Sequence, residues 1–350
     1  MAGTVLPTPD FSYDPSARPF IAGERPYRSR SYRLEPETIG DKFVVHNYGH
    51  GGAGITMSWG CAHEVRDIIT SHGFSERQPV AVLGSGVMGL TVAALLTEVG
   101  LAVKVYAKDF PPHTTSNVAG GQWAPSLVER ASGTRETEKF NRILRRAFAT
   151  HKSKIGQGYG VSPRLNYTLH RSDNFDRVPR DVIPEPTFFQ HLPFAHLKSS
   201  GYGYSTLLVE PPIFLAKLKA DLEAAEVEFV QREFIGAAAA AELTETIVVN
   251  CTGLGSRKIW PDRLLQPVKG QLVLLKPQAQ LQYLYSSKGY LFPRADHVVV
   301  GGTEERGVDN DTPDPQMCAQ IIRNVKAVFS GAAAELGLEA PLPAWFIQNK

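Results

Sequence analysis

The chain has 350 residues, 43% of them hydrophobic and 21% charged, with a formal net charge of +2. This is ordinary globular composition, enough for one large or two interleaved domains, and the near-neutral charge gives no electrostatic case for nucleic acid or a membrane surface as partner. Three scattered cysteines (Cys61, Cys251, Cys318) form no C-x-x-C pair and read as reduced thiols; with no basic-then-apolar leader and no bilayer-length apolar run, a soluble, cytoplasmic protein is expected.

Residues 1–20 are rich in proline and polar groups and read as a loose arm. Arg25, Arg28, Arg30 and Arg33 follow closely and read as a solvated basic strand edge. Arg25, between Gly23 and Pro26, stands apart, because its planar guanidinium offers a two-pronged fork for a carboxylate. Phe43–Val45 reads as a buried strand, Gly49 to Gly54 as a glycine-rich turn, and Trp59 to Ile69 as a helix with Ala62, Val65 and Ile69 on one face. Such a unit suits presenting backbone N–H groups to an anionic or electron-rich ligand. His46 and His50 lie in it without a carboxylate or cysteine at metal-ligand spacing, so no metal site is assigned. His63-Glu64 is not H-E-x-x-H, since Asp67 stands where the second histidine belongs.

The polar linker Gly73–Gln78 leads to a second strand–turn–helix unit. Val80–Leu83 is a short apolar strand, and Gly84, Gly86 and Gly89 match G-x-G-x-x-G. Val87, Leu90, Ala94 and Val99 then recur at helical spacing up to Gly100, a C-terminal cap, and Val103 to Tyr106 form the next strand. The first glycine serves the tight turn, the second the approach of a pyrophosphate, the third helix–strand packing, and the pyrophosphate rests on the helix N-terminus. An acidic residue usually follows the second strand; here Ala107–Lys108 stand there and the first acid is Asp109. Thr114, Thr115, Ser116, Ala119, Gly120 and Gly121 before Trp123 suit either close approach to a flat ligand or an ordinary surface turn.

Residues 128–155 have helical spacing through Phe140, Ile143, Leu144 and Phe148, and 160–205 reads as strands and loops over a pocket. Leu215, Leu218 and Leu222 mark a helix before the apolar strand Val227–Val230. The strand TIVVN ends near Thr252 and Gly253, at the carboxyl end where doubly wound sheets bind ligands. Further strands without helices suggest a mixed or antiparallel sheet, Met317, Ile321, Val325 and Phe329 mark a last helix, and PAWFIQNK reads as a closing strand.

Together these segments resemble the D-amino-acid oxidase family of flavoproteins. The likeness is carried by VLGSGVMGL at 82–90, VYAKDFPPHTTSNVAGGQW at 105–123, VVNCTGLG at 248–255, LLQPVKGQL at 264–272 and VVHNYGHGGAGITMSWG at 44–60. In the usual members the last of these lies near the C-terminus, after a strand carrying G-x-R-P. Here GERPYR at 23–28 and HNYGHGG both precede the nucleotide-binding strand. A circularly permuted order is therefore expected, with Gly73–Gln78 joining the usual ends; a signature fused in from elsewhere is the alternative.

The resemblance implies an α/β fold, a Rossmann-like FAD-binding domain interleaved with a substrate domain on a mixed, largely antiparallel sheet. Segments 37–130 and 208–262 are expected in the FAD-binding domain, and 18–36, 131–207 and 263–350 in the substrate domain. Gly84, Gly86 and Gly89, with Val87 and Met88 between them, would hold the FAD pyrophosphate, and Lys108 and Asp109 would meet the adenosine ribose. Thr114, Thr115, Ser116, Gly120, Gly121 and Gln122 would line the pyrophosphate and flavin, and Phe234 and Thr252 would flank the cofactor. Gly51, Gly52, Ala53, Gly54, Ile55 and Thr56 would face the pyrimidine edge.

Arg25 corresponds to the family's carboxylate-binding arginine, Tyr290 to a tyrosine that bonds the same carboxylate, and the Gly52 carbonyl would accept from the substrate amine. The family's second active-site tyrosine falls on Ser286, with Tyr285 adjacent; LYSSKG is shorter than the usual lid loop, and Gln122 replaces a common apolar residue beside the flavin. The implied reaction is FAD-dependent oxidation of D-amino acids to 2-oxo acids, ammonia and hydrogen peroxide, by hydride transfer from the substrate Cα to flavin N5. Partners would be a D-amino acid and molecular oxygen, with no nucleic acid and no membrane, and with room for a homo-oligomer. The alternatives are an oxidase of D-aspartate, glycine or sarcosine, a flavin dehydrogenase, a non-catalytic flavin-binding protein, and a nicotinamide dehydrogenase.

Overall fold

A computed structural model describes residues 5–73 and 77–332. The middle of the expected linker and the expected closing strand PAWFIQNK lie outside the described residues. The chain opens with strands β1 (Phe20–Arg28), β2 (Arg33–Ile39) and β3 (Lys42–Tyr48), then helix α1 (Gly54–Ser71). The glycine motif forms the expected unit of β4 (Pro79–Leu83), α2 (Val87–Glu98) and β5 (Ala102–Ala107). Next come α3 (Thr115–Val118), α4 (Thr134–Ser153), β6 (Val161–Thr168), α5 (Asp173–Asp176), β7 (Thr187–Phe189) and β8 (Gly201–Val209). They are followed by α6 (Pro211–Ala224), β9 (Glu228–Gln231), α7 (Gly236–Ala241), β10 (Ile247–Asn250) and α8 (Ser256–Ile259). Strands β11 (Leu265–Leu275), β12 (Tyr283–Ser287), β13 (Gly289–Pro293), β14 (Val298–Gly301) and β15 (Glu305–Arg306) lead to α9 (Pro315–Ser330).

Two sheets organise these elements. The six-stranded sheet runs β2-β3-β10-β4-β5-β9, parallel except for the antiparallel edge strand β2. Its centre is buried on both faces, which is why β10 and the apolar part of β4 read as unbroken apolar runs. Helix α2 is apolar around most of its circumference because it packs between this sheet, α1 and α6. Its C-terminus closes as expected: Gly100 has φ +84°, and Leu101 N–H donates to Leu96 O at 3.1 Å. The nine-stranded sheet runs β1-β11-β14-β13-β12-β6-β8-β7, with β15 also on β11, and its one parallel pairing is β12 with β6. Both sheets match the expected α/β class with a mixed, largely antiparallel second sheet.

Three expectations change. Residues 5–19 are not a loose arm but are tied to the nine-stranded sheet: Tyr283 Oη donates to the Pro7 carbonyl at 2.8 Å, Asp10 N–H donates to Gln278 at 2.7 Å, and Phe11 packs on Phe329. Helix α1 starts at Gly54 rather than Trp59, and α4 starts at Thr134 rather than 128. The two helices are clamped together by Glu64, which accepts a two-pronged bond from Arg142 and a third bond from Arg146. Finally, β2 belongs to the six-stranded sheet although the expected domain boundary at 36 cuts through it.

Candidate active site

The carboxyl ends of β3, β4 and β10 lie side by side, and each leads into a glycine-containing turn. After β4, Gly84 takes φ +105°, and a Cβ there would sit 2.5 Å from the Cys251 carbonyl oxygen, so only glycine makes the turn. Gly89 packs directly on the Gly84 carbonyl, letting α2 approach its own strand. The turn after β3, Gly51–Ala53, feeds α1 in the same way, and a Cβ built at Gly54 would lie 3.7 Å from Val87. The N-termini of α1 and α2 are therefore neighbours. Both helices begin without a side-chain cap from the residue before them, so their N-terminal N–H groups concentrate partial positive charge in one place.

Several expected cofactor residues converge here. The Ser116 hydroxyl accepts from Val87 N–H at 3.0 Å and would lie 3.1 Å from a Cβ on Gly86, bringing the 114–122 loop onto the start of α2. Ser85 donates to the Asp109 carbonyl at 2.5 Å, which joins the glycine turn to the end of β5; the Lys108 and Asp109 side chains remain exposed there. Thr114 bonds Asn117 within its own turn, and Thr115 is exposed. Thr252 sits against the glycine turn, its N–H nitrogen 3.3 Å from a Cβ on Gly84, and its hydroxyl donates to Asn250 at 2.7 Å. Gly121 and Gln122 are held on β8, where Val209 N–H donates to the Gly121 carbonyl at 2.8 Å. The Gln122 Nε2 is buried with no partner among the described residues. Met88 packs against the core beside α2.

Two cofactor expectations are corrected in part. The Phe234 side chain is buried against Tyr106, Ala240 and Leu243 in the core beneath α7, so its ring packs the sheet rather than lining the cleft. Ile55 and Thr56 are buried, and the Thr56 hydroxyl is used by Ala124: it donates to the carbonyl at 2.8 Å and accepts from the N–H at 3.1 Å. Only main-chain groups of Ile55 and Thr56 remain for a ligand.

The nine-stranded sheet brings the substrate candidates together. Arg25 on β1 pairs with Val268 of β11, and its guanidinium lies over Gly270, where a Cβ would overlap it. Its Nη1 donates to the Thr303 carbonyl at 3.0 Å, and among the described residues it forms no ion pair. Tyr290 lies across Gly301 of β14, where a Cβ would stand 2.5 Å from its hydroxyl oxygen. The Tyr290 hydroxyl is near enough to the Arg25 guanidinium to feel its charge: burial raises the Tyr290 pKa, and that positive charge partly opposes the rise. The Tyr290 ring stacks on Phe292 with centroids 4.4 Å apart, and Gly120 of the cofactor loop backs onto both rings. Gly270, Gly301 and Thr303 carry no role in the sequence reading, where LLQPVKGQL serves the family likeness and the segment around Gly301 falls among the later strands. The Gly52 carbonyl accepts weakly from Ser126 Oγ at 3.5 Å, leaving acceptor capacity.

Tyr285 is removed from the candidate set. Its partner across the β12–β13 hairpin is Leu291, whereas Ser286 is the partner of Tyr290. Neighbouring strand residues point to opposite faces, so Tyr285 is fully buried against Phe329 of α9 while Ser286 shares the Tyr290 face. There Ser286 Oγ accepts from Asn166 Nδ2 at 2.9 Å. The other basic residues are engaged elsewhere: Arg28 pairs with Asp262 and Arg294 holds Asp296 with two bonds. His46 lies between Glu37 and Asn250, and His50 stacks on Tyr32. A cavity of about 500 Å³ between α1, α2, α4 and α6, lined by Trp59, Tyr159 and Asp221, contains none of the candidate residues.

The comparisons with known proteins agree with this arrangement. The family model described as FAD dependent oxidoreductase matches residues 79–345. A D-amino-acid oxidase of Streptomyces coelicolor is 28% identical over 260 residues, covering 71% of this chain and 77% of the relative. A D-aspartate oxidase of Homo sapiens is 28% identical over 259 residues, covering 69% and 73%. Among solved structures, a glycine oxidase from Bacillus cereus shares the fold with a TM-score of 0.54 at 19% identity, covering 74% of this chain and 79% of that one. No helix among the described residues is long and apolar enough to cross a membrane. The paired helix N-termini and the glycine turn fit the pyrophosphate of a dinucleotide, and with the family match they lead to one conclusion: the chain belongs to the FAD dependent oxidoreductase family, and its cofactor is FAD.

Proposed function

We propose that this chain oxidises D-amino acids to 2-oxo acids, with water and oxygen consumed and ammonia and hydrogen peroxide released. The observation that carries the reading is the Arg25–Tyr290 pair, a guanidinium without a carboxylate partner among the described residues and a phenol that feels its charge, beside Gly120. A half-buried arginine that no acid among the described residues neutralises suits a carboxylate. Its guanidinium and the Tyr290 hydroxyl hold the substrate carboxylate, and the Gly52 carbonyl accepts from the amine. Such a multi-point hold fixes one enantiomer and supplies alignment, the main requirement when a cofactor carries the hard chemistry. FAD, when bound, would supply a two-electron acceptor for the hydride of the Cα–H bond. Gly84, Gly86, Val87, Met88 and Gly89, with Ser116, Thr252 and the Gly51–Gly54 turn, are assigned to hold it.

Relatives named for D-amino acids and for D-aspartate both fit this family. A neutral substrate is favoured because Arg28 and Arg294 already hold Asp262 and Asp296. We also propose that the chain order is permuted. Support comes from residues 20–71, which build β1 into one sheet, β2 and β3 into the other, and α1 against α2. A segment so woven into both cores is not an appended module. On the same reading, with the boundary at 36 moved back to keep β2 whole, 33–130 and 208–262 form the FAD-binding domain, and 18–32, 131–207 and 263–332 the substrate domain.

The test is Arg25→Ala. Loss of a charged, two-pronged contact costs several kcal/mol of transition-state binding, so turnover of D-alanine is expected to fall by about 10²-fold or more while the protein stays yellow. Unchanged D-alanine oxidation would remove Arg25 from the mechanism.

A further inference from the structure

We propose that Thr303 is a positioning residue for substrate: its main-chain carbonyl orients the Arg25 guanidinium, and its own hydroxyl fixes that carbonyl. The inference rests on the reading of Arg25 as the carboxylate anchor.

The β11–β14 ladder ends at Leu272 opposite Gly301, and pairing on β11 resumes only where β15 places Glu305 opposite Lys269. Gln271 lies in the gap. Its N–H finds no strand carbonyl and donates instead to Thr303 Oγ1 at 2.8 Å. The Thr303 hydroxyl in turn donates to Glu305 Oε1 at 3.1 Å, and Gln271 Nε2 donates to the same oxygen at 3.0 Å. Gln271 is fully buried, and its Oε1 accepts from Asp314 N–H at 2.6 Å, at the start of α9. The Gln271 N–H, Nε2 and Oε1 and the Thr303 hydroxyl are all paired, so Thr303 sits in a rigid frame. From this frame the Thr303 carbonyl accepts from Arg25 Nη1 at 3.0 Å.

The choice of acceptor is the physical point. Arg28 and Arg294 are held by carboxylates, which orient them and also neutralise them. Arg25 is held by a neutral carbonyl, which fixes the rotation of the fork while leaving its charge for the substrate. The same stretch serves the second anchor, since Gly301 is the surface on which Tyr290 rests. The residues Gly301 to Glu305 therefore set the relative placement of both carboxylate anchors. A supporting shell of this kind holds a binding group within the small tolerance that productive geometry demands.

The experiment compares Thr303→Val, Thr303→Ser and Arg25→Lys as FAD-loaded proteins. The readouts are KM and kcat for D-alanine, the inhibition constant of propanoate (the same carboxylate without the amine), and flavin content. Thr303→Val keeps the shape but removes the hydroxyl. It is expected to raise KM and the propanoate constant by roughly tenfold each, with kcat within about twofold and flavin content unchanged. Thr303→Ser is expected to restore both constants. Should Thr303→Val fail to fold, Glu305→Leu takes its place, with the same shift expected and rescue expected from Glu305→Gln. Unchanged constants in the valine variant (or in Glu305→Leu, where that variant stands in), while Arg25→Lys raises both, overturn the role of Thr303 alone. Equal impairment in the serine and valine variants also overturns it. If Arg25→Lys leaves both constants unchanged, the reading of Arg25 itself falls.

Discussion

Adding one methyl group at Gly301 forces Tyr290 to move. A Cβ there would stand 2.5 Å from the Tyr290 Cζ and hydroxyl oxygen and 2.5 Å from Leu272 Cδ2, where ordinary contact begins at 3.4 Å. The ring must retreat by about 0.9 Å, and it is stacked on Phe292, so the hydroxyl loses its alignment with Arg25. Misplacement by about 1 Å costs about 10²-fold in rate, so kcat/KM for D-alanine in Gly301→Ala is expected to fall by roughly 30- to 100-fold. Overpacking costs about 1–3 kcal/mol of stability, which lowers the melting temperature without unfolding the protein at room temperature. Peroxide formation gives the rate, circular dichroism the melt, and visible absorbance the flavin content. A folded, yellow Gly301→Ala protein within about threefold of the parent rate would show that Tyr290 does not anchor substrate.

Two further outcomes are expected. Ser286 stands opposite Tyr290 with its hydroxyl bonded by Asn166, so Ser286→Tyr fills that side of the substrate face. It should lower kcat/KM for D-phenylalanine relative to D-alanine by about tenfold or more, and an unchanged ratio would place the substrate side chain elsewhere. The second concerns pH. Burial lowers the pKa of His50 from 6.5 to about 3, and it lowers those of His46 and His151 to about 4. These rings fold neutral, whereas the unfolded chain binds their protons below pH 6.5, so stability is full above 6.5 and declines down to the folded values. Each ring contributes a slope of up to about 1.4 kcal/mol per pH unit in that window. Denaturant midpoints should therefore fall between about pH 6.5 and 4, and His50→Gln should flatten part of the fall; a variant as steep as the parent would contradict the assignment.

The parts of the site that were legible in sequence are those whose physics is local. Gly84, Gly86 and Gly89 answer to one turn and one helix start, and the apolar run of β10 answers to burial on both faces. The start of α1 was missed because Ala53 makes no side-chain cap and the first turn opens on Gly54, so nothing marks it. Tyr285 was chosen for its chemistry and its nearness to Ser286, but strand parity decides which side chain faces substrate, and parity needs the Ser286–Tyr290 register. Phe234 was expected to flank the cofactor, but the core beneath α7 claims its ring. Gly270, Gly301 and Thr303 were illegible for a third reason. Each matters only because a residue distant in sequence, Arg25 or Tyr290, lies against it. The proline-rich arm misled in the same way, since Leu6 and Pro7 acquire meaning only through Phe194 and Tyr283.

The measurement that bears most directly on the account is the visible spectrum of the purified protein, recorded without oxygen before and after adding D-alanine, L-alanine or glycine. A yellow protein bleached by D-alanine, left coloured by L-alanine and recoloured on admitting air is the expected result. A yellow protein that none of a panel of D-amino acids bleaches would contradict the proposed reaction while leaving the cofactor intact.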